Sequence, residues 1–242
     1  MKPGLPEIGI VVYGASASRL ERLRRWATNL GTKGLLIIEN KAATAQGEVL
    51  QGDNRYSEFS AYLQLCNLFE GAGPYLIVND TLVRTHWTAG WSLLCRKVLR
   101  SALDEKTIIG DIRNDRDTIP GKPSTYLASW IFIIPTRREL EAFREVLEKA
   151  VVHPDTLPAA YNTWLDQWLK PSSIWRGWHL RADEAALQRK RFCIITEHRI
   201  SQLLPQSGLH MVSAGAFSPL LYRWIRLADR LKTRLHALKS RL

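Results

Sequence analysis

The feature that most constrains the fold is an alternation of short apolar segments with amphipathic ones near the start of the chain. Residues 8–13 and 34–39 are rich in Ile, Val and Leu, which is typical of buried strands. Residues 18–30 between them carry apolar side chains at helical spacing. A strand, a helix and a strand within about 35 residues form a right-handed parallel crossover. The pattern predicts an α/β fold with a mixed, mainly parallel sheet flanked by helices.

A third apolar segment, residues 74–81, ends in the polar side chains of Asn79, Asp80 and Thr81. In open α/β sheets, ligands bind outside the carboxyl ends of the strands, so we expect Asp80 to face a crevice. All three residue types are also good helix N-caps, and this structural role stays open. Further elements are predicted in chain order: a helix at 56–69, a helix at 82–103, a strand at 107–112, a last strand at 126–134 and a helix at 138–150.

Composition narrows the class of protein. The 242 residues are 45% hydrophobic, which is enough for a sizeable core, and no apolar run approaches the roughly 20 residues that cross a bilayer. The start of the chain lacks the pattern of a secretory signal, so a cytoplasmic location is expected. Cys66, Cys95 and Cys193 are widely spaced among apolar residues, which favours reduced thiols and no structural metal.

The net charge of +11 indicates an anionic partner, and much of it lies at the end of the chain. Residues 219–242 contain seven Lys or Arg and one acid, Asp229, with apolar residues recurring every three or four positions. This pattern predicts a basic amphipathic helix, assigned to a segment 216–242 that follows a main domain 1–215. Three roles stay open: binding an anionic membrane surface, packing on the protein or a second subunit, and binding nucleic acid. The last is disfavoured because no nucleic-acid-binding signature accompanies the charge.

Six segments, taken in order, resemble a known family. They are the strands at 8–13 and 34–39, the segment 52–62 with Asn54, Glu58, Phe59 and Tyr62, the strand ending in Asn79-Asp80-Thr81, and the segments 124–140 and 197–208. Together they are similar to GT-A fold, family 2-like glycosyltransferases, most closely the bacterial rhamnan synthesis protein F type. The resemblance implies a peripheral bacterial enzyme of cell-surface polysaccharide synthesis that moves a sugar from a nucleoside-diphosphate donor to a saccharide or lipid-linked acceptor, with inversion.

The resemblance also implies roles for individual residues. The donor is expected near Tyr13, Gly14, Glu39, Asn40, Asn54, Arg55, Asn79 and Asp80. Asp80 is the candidate ligand of Mg²⁺ or Mn²⁺, although the segment has one carboxylate where the family usually has two. Basic residues offer an alternative to the metal, and the candidates are Arg55, Arg84, Arg113 and Arg116.

Glu197 is the candidate general base of an inverting transfer, with Asp111, Asp117 and Asp166 in reserve. A structural alternative places Glu197 as a favourable charge near a helix N-terminus. His86 and His198 are candidates for binding phosphate or orienting a carboxylate. Tryptophans within residues 151–191 line an acceptor cleft or pack in the core. The rival functions are a non-catalytic nucleotide-sugar-binding or scaffold protein of the same fold and a nucleic-acid-binding protein.

Overall fold

The computed structural model describes residues 4–41, 49–101, 103–115, 117–170 and 183–239. They form a mixed seven-stranded sheet flanked by helices, which confirms the α/β class. The seven strands of the sheet are β1 (Glu7–Val12), β2 (Gly34–Glu39), β3 (Leu50–Gln51), β5 (Tyr75–Asn79), β6 (Thr107–Asn114), β7 (Thr125–Ile134) and β8 (His210–Ser213), and a short strand outside it is β4 (Arg55–Ser57). The helices are α1 (Ala17–Leu30), α2 (Glu58–Leu68), α3 (Thr81–Thr85), α4 (Thr88–Arg100), α5 (Arg137–Ala150), α6 (Ala159–Leu169), α7 (Glu184–Gln206) and α8 (Pro219–Lys239), with a 3₁₀ turn at Ala214–Phe217.

The sheet has the strand order β3-β2-β1-β5-β7-β6-β8. Neighbouring strands from β3 to β5 are parallel, whereas β7 is antiparallel to both β5 and β6, and β8 is parallel to β6. Val11 of β1 is in register with Ile38 of β2 and Asn79 of β5. The carboxyl ends of these three strands therefore meet at one edge of the sheet.

The two faces of the sheet bury separate hydrophobic clusters. Ile8, Ile10 and Val12 of β1 pack with α1 and α4, and Val11 packs on the other face with α2. Gly9 also faces α2, where a Cβ would lie 2.7 Å from a methyl of Leu65. A larger residue at position 9 would push this helix away from the sheet.

The prediction of one continuous helix over residues 82–103 is wrong, because α3 and α4 are separate helices. His86 and Trp87 between them have extended backbone, and both bind the carboxylate of Asp229 on α8. The Trp87 N–H donates to this carboxylate over 2.6 Å. A contact between distant segments therefore replaces a continuous helix that local spacing favours.

Two more departures lie further along the chain. One further strand, β8, follows the last clear apolar segment at 126–134 and pairs with β6 at the sheet edge. Its four residues are too few for a clear apolar pattern. Helix α7 begins at Glu184, so Glu197 lies in its middle. The helix-dipole explanation of Glu197, which requires a position in the first turn, does not apply.

Helix α8 confirms the predicted C-terminal helix, and it packs on the body of the protein. Ile225 is completely buried in the cluster that contains α1 and α4, and the Tyr222 hydroxyl donates to Asp111 of β6 over 2.6 Å. Within the described ranges, no helix combines the length and apolar character that crossing a bilayer would require.

Candidate functional site

Two cavities adjoin each other beside the carboxyl ends of β1 and β5. The small cavity has a volume of about 250 Å³, and its walls include Tyr13, Asn40, Glu58, Asn79, Asp80 and Arg84. The large cavity has a volume of about 540 Å³, and its walls include Tyr126, Trp164, Trp168, Glu197, Arg226 and Asp229. Thr81 and Lys190 line both. Asp80 and Glu197 therefore belong to neighbouring compartments that meet at the same two side chains.

Four of the predicted donor residues line the small cavity, namely Tyr13, Asn40, Asn79 and Asp80. Tyr13 is the exposed one, at 42% of its surface. Asn40 is buried and exchanges two hydrogen bonds of 3.1 Å with Asn54, which fixes the loop before β4. Arg55 is exposed, lies over the ring of Tyr56 and lines neither cavity.

Glu39 and Gly14, two more of the predicted donor residues, do not line the small cavity but adjoin Asn40 and Tyr13, which do. The buried Glu39 carboxylate accepts hydrogen bonds from the backbone N–H groups of Gly14, Ala15 and Lys41 over 2.8–3.2 Å. Gly14 has a φ of +62°, a conformation that glycine adopts without strain. The carboxylate therefore fixes the chain after β1 and is occupied by backbone donors.

Three polar residues of the segment 52–62, Asn54, Glu58 and Tyr62, form hydrogen bonds around the small cavity. Asn54 binds Asn40, and the Tyr62 hydroxyl accepts from the Asn79 side chain over 3.0 Å. Glu58 accepts a hydrogen bond of 2.7 Å from the Ser129 hydroxyl. The spacing of these residues on and before α2 therefore serves to fix the strand ends around the small cavity.

Asp80 is a buried carboxylate held by arginines. Its Oδ2 lies 2.9 Å from the guanidinium of Arg19, and its Oδ1 lies 3.9 Å from that of Arg84. Burial raises the pKa of Asp80, and the two arginines oppose this rise without cancelling it. Positive side chains thus already surround the one carboxylate at the end of β5.

Glu58 and Glu197 are joined through a single residue of β7. The Ser129 hydroxyl donates to Glu58, and the Ser129 backbone N–H donates to Glu197 over 2.5 Å. Burial raises the pKa of both carboxyl groups, and Lys190 lowers both without cancelling the rise. The negative charge of Glu58 also raises the pKa of Glu197. Glu58 faces the small cavity and Glu197 faces the large one. The pair therefore lies at the boundary between them, with its proton affinity increased.

Lys190 and Glu197 are seven residues apart on α7, two helical turns along one face. Sequence reasoning missed Lys190 and its neighbour Arg189, which also lines the small cavity. The helical spacing that begins at Leu187 and continues through Ile194 was the available signal. Extending that helix back from Glu197 would have placed Lys190 beside it.

The reserve bases lie away from both cavities. Asp111 is fully buried, and its carboxylate binds Arg113, Trp130, Tyr222 and Arg226 over 2.6–3.1 Å. These four donors occupy the Asp111 carboxylate, which anchors α8 to β6. Asp117 and Asp166 are exposed, and Asp166 pairs with Arg191. Arg116 lies outside the described residues.

The two histidines have different environments in the wall of the large cavity. His86 Nδ1 lies 2.7 Å from the Asp229 carboxylate, and the His86 ring stacks on Trp130. Of the two roles predicted for His86, its position matches the orienting of a carboxylate. His198 is buried and bonds to the Tyr161 hydroxyl over 2.6 Å. Burial lowers the pKa of His198 to about 3, so this ring is neutral at pH 7.

Aromatic side chains give the large cavity one apolar wall. Trp164 and Trp168 of α6 are half-buried, pack on the cluster beneath α7 and also line the cavity. Both tryptophans therefore contribute to the core and also line a cavity, while an acceptor in that cavity stays a prediction. Trp175 and Trp178 lie outside the described residues.

A comparison with protein-family models finds no match to this chain, and a comparison with curated proteins finds no relative of significant similarity. The resemblance to GT-A glycosyltransferases therefore remains a prediction based on short motifs. The case for function rests on the geometry of the two cavities.

Proposed function

We propose that the chain is a glycosyltransferase of GT-A-like architecture that moves a sugar from a nucleoside-diphosphate donor to a saccharide or lipid-linked acceptor. The observation that carries the proposal is the meeting of the two cavities at Thr81 and Lys190, between Asp80 and Glu197. Two substrates that react with each other need separate compartments and one shared boundary. In this proposal, the donor occupies the small cavity and the acceptor the large one.

The departing nucleoside diphosphate needs positive charge near its phosphates. Arg84, Arg189 and Lys190 line the small cavity and supply it, whereas the facing acids are Glu58 and Asp80. A protein-bound Mg²⁺ or Mn²⁺ fits these residues poorly. Hard cations favour several oxygen ligands, and here the single carboxylate of the strand end is already bonded to Arg19. We therefore assign the charge compensation to the basic side chains.

Glu197 is the proposed general base, which takes the proton from the attacking acceptor hydroxyl. A base works best when its pKa lies near the working pH, and burial beside Glu58 moves the pKa of Glu197 in that direction. Trp164 and Trp168 offer apolar surfaces against which the faces of a sugar ring can pack. The Glu197 carboxylate and these rings belong to the same cavity, which supports the acceptor assignment.

The test measures binding and chemistry separately. A panel of nucleoside diphosphates should raise the Tm of the protein, and Arg189→Gln should reduce the shift. Glu197→Gln should keep the shift and reduce donor hydrolysis or transfer by about 10²–10⁴-fold. Glu145→Gln is the matched control, because Glu145 is an exposed glutamate on α5, away from both cavities.

Retained activity in Glu197→Gln would disprove the assignment of the base. A non-catalytic nucleotide-sugar-binding protein is the second candidate, and the presence of one carboxylate at the end of β5 favours it. It predicts nucleotide-dependent shifts with no turnover in the unmodified protein. The absence of any nucleotide-dependent shift would contradict both candidates.

A further inference from the structure

Helix α8 has two faces with different surroundings. On the inner face, Ile225 is completely buried, Asp229 binds His86, and Arg226 pairs with Asp111 over 3.1 Å. Arg226 and Asp229 also line the large cavity, as does Arg230. The inner face is therefore both packed on the core and part of the wall of the proposed acceptor compartment.

The opposite face carries an exposed apolar stripe. Leu220, Trp224, Leu227 and Leu231 expose 72, 65, 47 and 52% of their surface. Spacings of four, three and four residues place these side chains along one side of a helix. Trp224 and Ile225 both belong to the apolar repeat of residues 219–242. Packing separates them, because Ile225 enters the core and Trp224 points away from it.

The charge of α8 indicates which kind of surface covers this stripe. Arg223 and Arg230 are exposed on α8, and neither forms an ion pair with an acid in the parts of the chain described. Residues 219–242 carry seven Lys or Arg against one acid, and that acid, Asp229, is turned inward to His86. A helix with Leu and Trp on one side and arginines beside them suits the surface of a bilayer with anionic headgroups. The apolar side chains can enter the acyl-chain region while the arginines contact the headgroups.

We infer that α8 docks the protein on an anionic lipid surface through Leu220, Trp224, Leu227 and Leu231. The stripe enters the boundary between headgroups and acyl chains, and each arginine near the headgroups adds about 1 kcal/mol of attraction. Because the inner face of the same helix lines the large cavity, docking places that cavity next to the lipid. If the proposed function holds, this position suits an acceptor whose sugar is carried on a lipid. Docking itself does not depend on glycosyl transfer.

The experiment is co-sedimentation of the full chain with vesicles of phosphatidylcholine alone or mixed with phosphatidylglycerol. Binding is expected to the mixed vesicles and to fall as salt rises. Leu231→Gln should weaken vesicle binding by about tenfold or more. Leu5→Gln is the matched control, since Leu5 is another exposed leucine, at 58%, outside α8. Both variants should keep the Tm of the unmodified protein because both side chains are exposed.

A second pair of variants tests the charge. Arg223→Gln should weaken binding to the mixed vesicles by about fivefold, and Lys149→Gln on α5 should leave it unchanged. Equal binding of Leu231→Gln and Leu5→Gln would overturn the inference. The inference would also be overturned if the protein bound neither vesicle type and sedimented as a dimer that Leu231→Gln dissociates. A second copy of the chain would then cover the stripe. Binding to DNA without binding to vesicles would overturn it as well.

Discussion

The carboxylate of Asp229 on α8 lies 2.7 Å from Nδ1 of His86, at the break between α3 and α4. It also accepts the Trp87 N–H and the Trp91 indole N–H, over 2.6 and 3.1 Å. One acid in an otherwise basic helix therefore satisfies three donors from a segment more than 130 residues earlier. This contact joins the end of the chain to the wall of the large cavity.

The first prediction concerns that contact. Asp229→Ala leaves buried donors of His86, Trp87 and Trp91 without their acceptor, so the free energy of unfolding should fall by about 3 kcal/mol. Denaturant unfolding measures the change. Asp155→Ala, at an exposed acid, should change it by less than about 0.5 kcal/mol. A small effect of Asp229→Ala would mean that α8 is held by its other contacts, the burial of Ile225 and the bonds to Asp111.

The same carboxylate predicts a dependence on acid. Burial alone would raise the pKa of Asp229, but the hydrogen bonds from His86, Trp87 and Trp91 and the charge of His86 lower it overall. A lowered pKa in the folded state adds stability above the unfolded value of about 3.9, and this contribution is lost as the pH falls through the folded value. Asp229→Asn should therefore show a flatter loss of stability below about pH 4 than the unmodified protein. Identical losses of stability below about pH 4 in the two proteins would contradict a lowered pKa for Asp229.

His198 predicts a dependence at milder pH. Its pKa of about 3 lies below the ordinary value of about 6.5, so the unfolded chain binds a proton that the folded chain does not. The contribution of His198 to stability is therefore full above about pH 6.5 and falls as the pH drops towards 3.

His198→Gln should flatten the stability profile over this window, and His210→Gln, at an exposed histidine, should not. The raised pKa values of Glu58 and Glu197 act in the opposite direction, because those groups gain stability on protonation. The difference between each variant and the unmodified protein is therefore the quantity to measure. Parallel profiles for both histidine variants would show that His198 titrates normally.

Glu58 provides a prediction on activity. Its negative charge raises the pKa of Glu197, so Glu58→Gln should lower that pKa. If Glu197 is the base, the acid limb of kcat/KM for glycosyl transfer should move to lower pH in Glu58→Gln. A merely structural role of Glu58 would reduce the rate without moving the limb, and Glu145→Gln should do neither.

The last prediction concerns metal removal. If Arg84, Arg189 and Lys190 compensate the diphosphate charge, EDTA should leave the nucleoside-diphosphate Tm shift unchanged and Mn²⁺ should not enlarge it. Arg189→Gln should reduce the shift, whereas Lys149→Gln should preserve it. A shift that vanishes with EDTA would instead assign a cation to Asp80, as the family resemblance implies.

Local pattern was sufficient for the strands that hold the small cavity. Residues 34–39 were predicted with the bounds of β2, and β1, β5 and β7 lie within two residues of their predicted ends. Polar residues at the ends of β2 and β5 were also visible, because buried parallel strands are continuous apolar runs and polar side chains mark where they stop. Pattern failed for β8, which has four residues, and for the break between α3 and α4.

The sequence by itself determined the α/β class, the basic C-terminal helix and the polar strand ends with Asp80, because each depends on the spacing of side chains along a short stretch of chain. Only the tertiary structure decided that Glu58 and Glu197 share Ser129, that Asp111 is an anchor and that Asp229 interrupts a helix. These contacts join residues more than 60 positions apart, and the buried environment they create shifts the pKa of Glu58, Glu197 and Asp229.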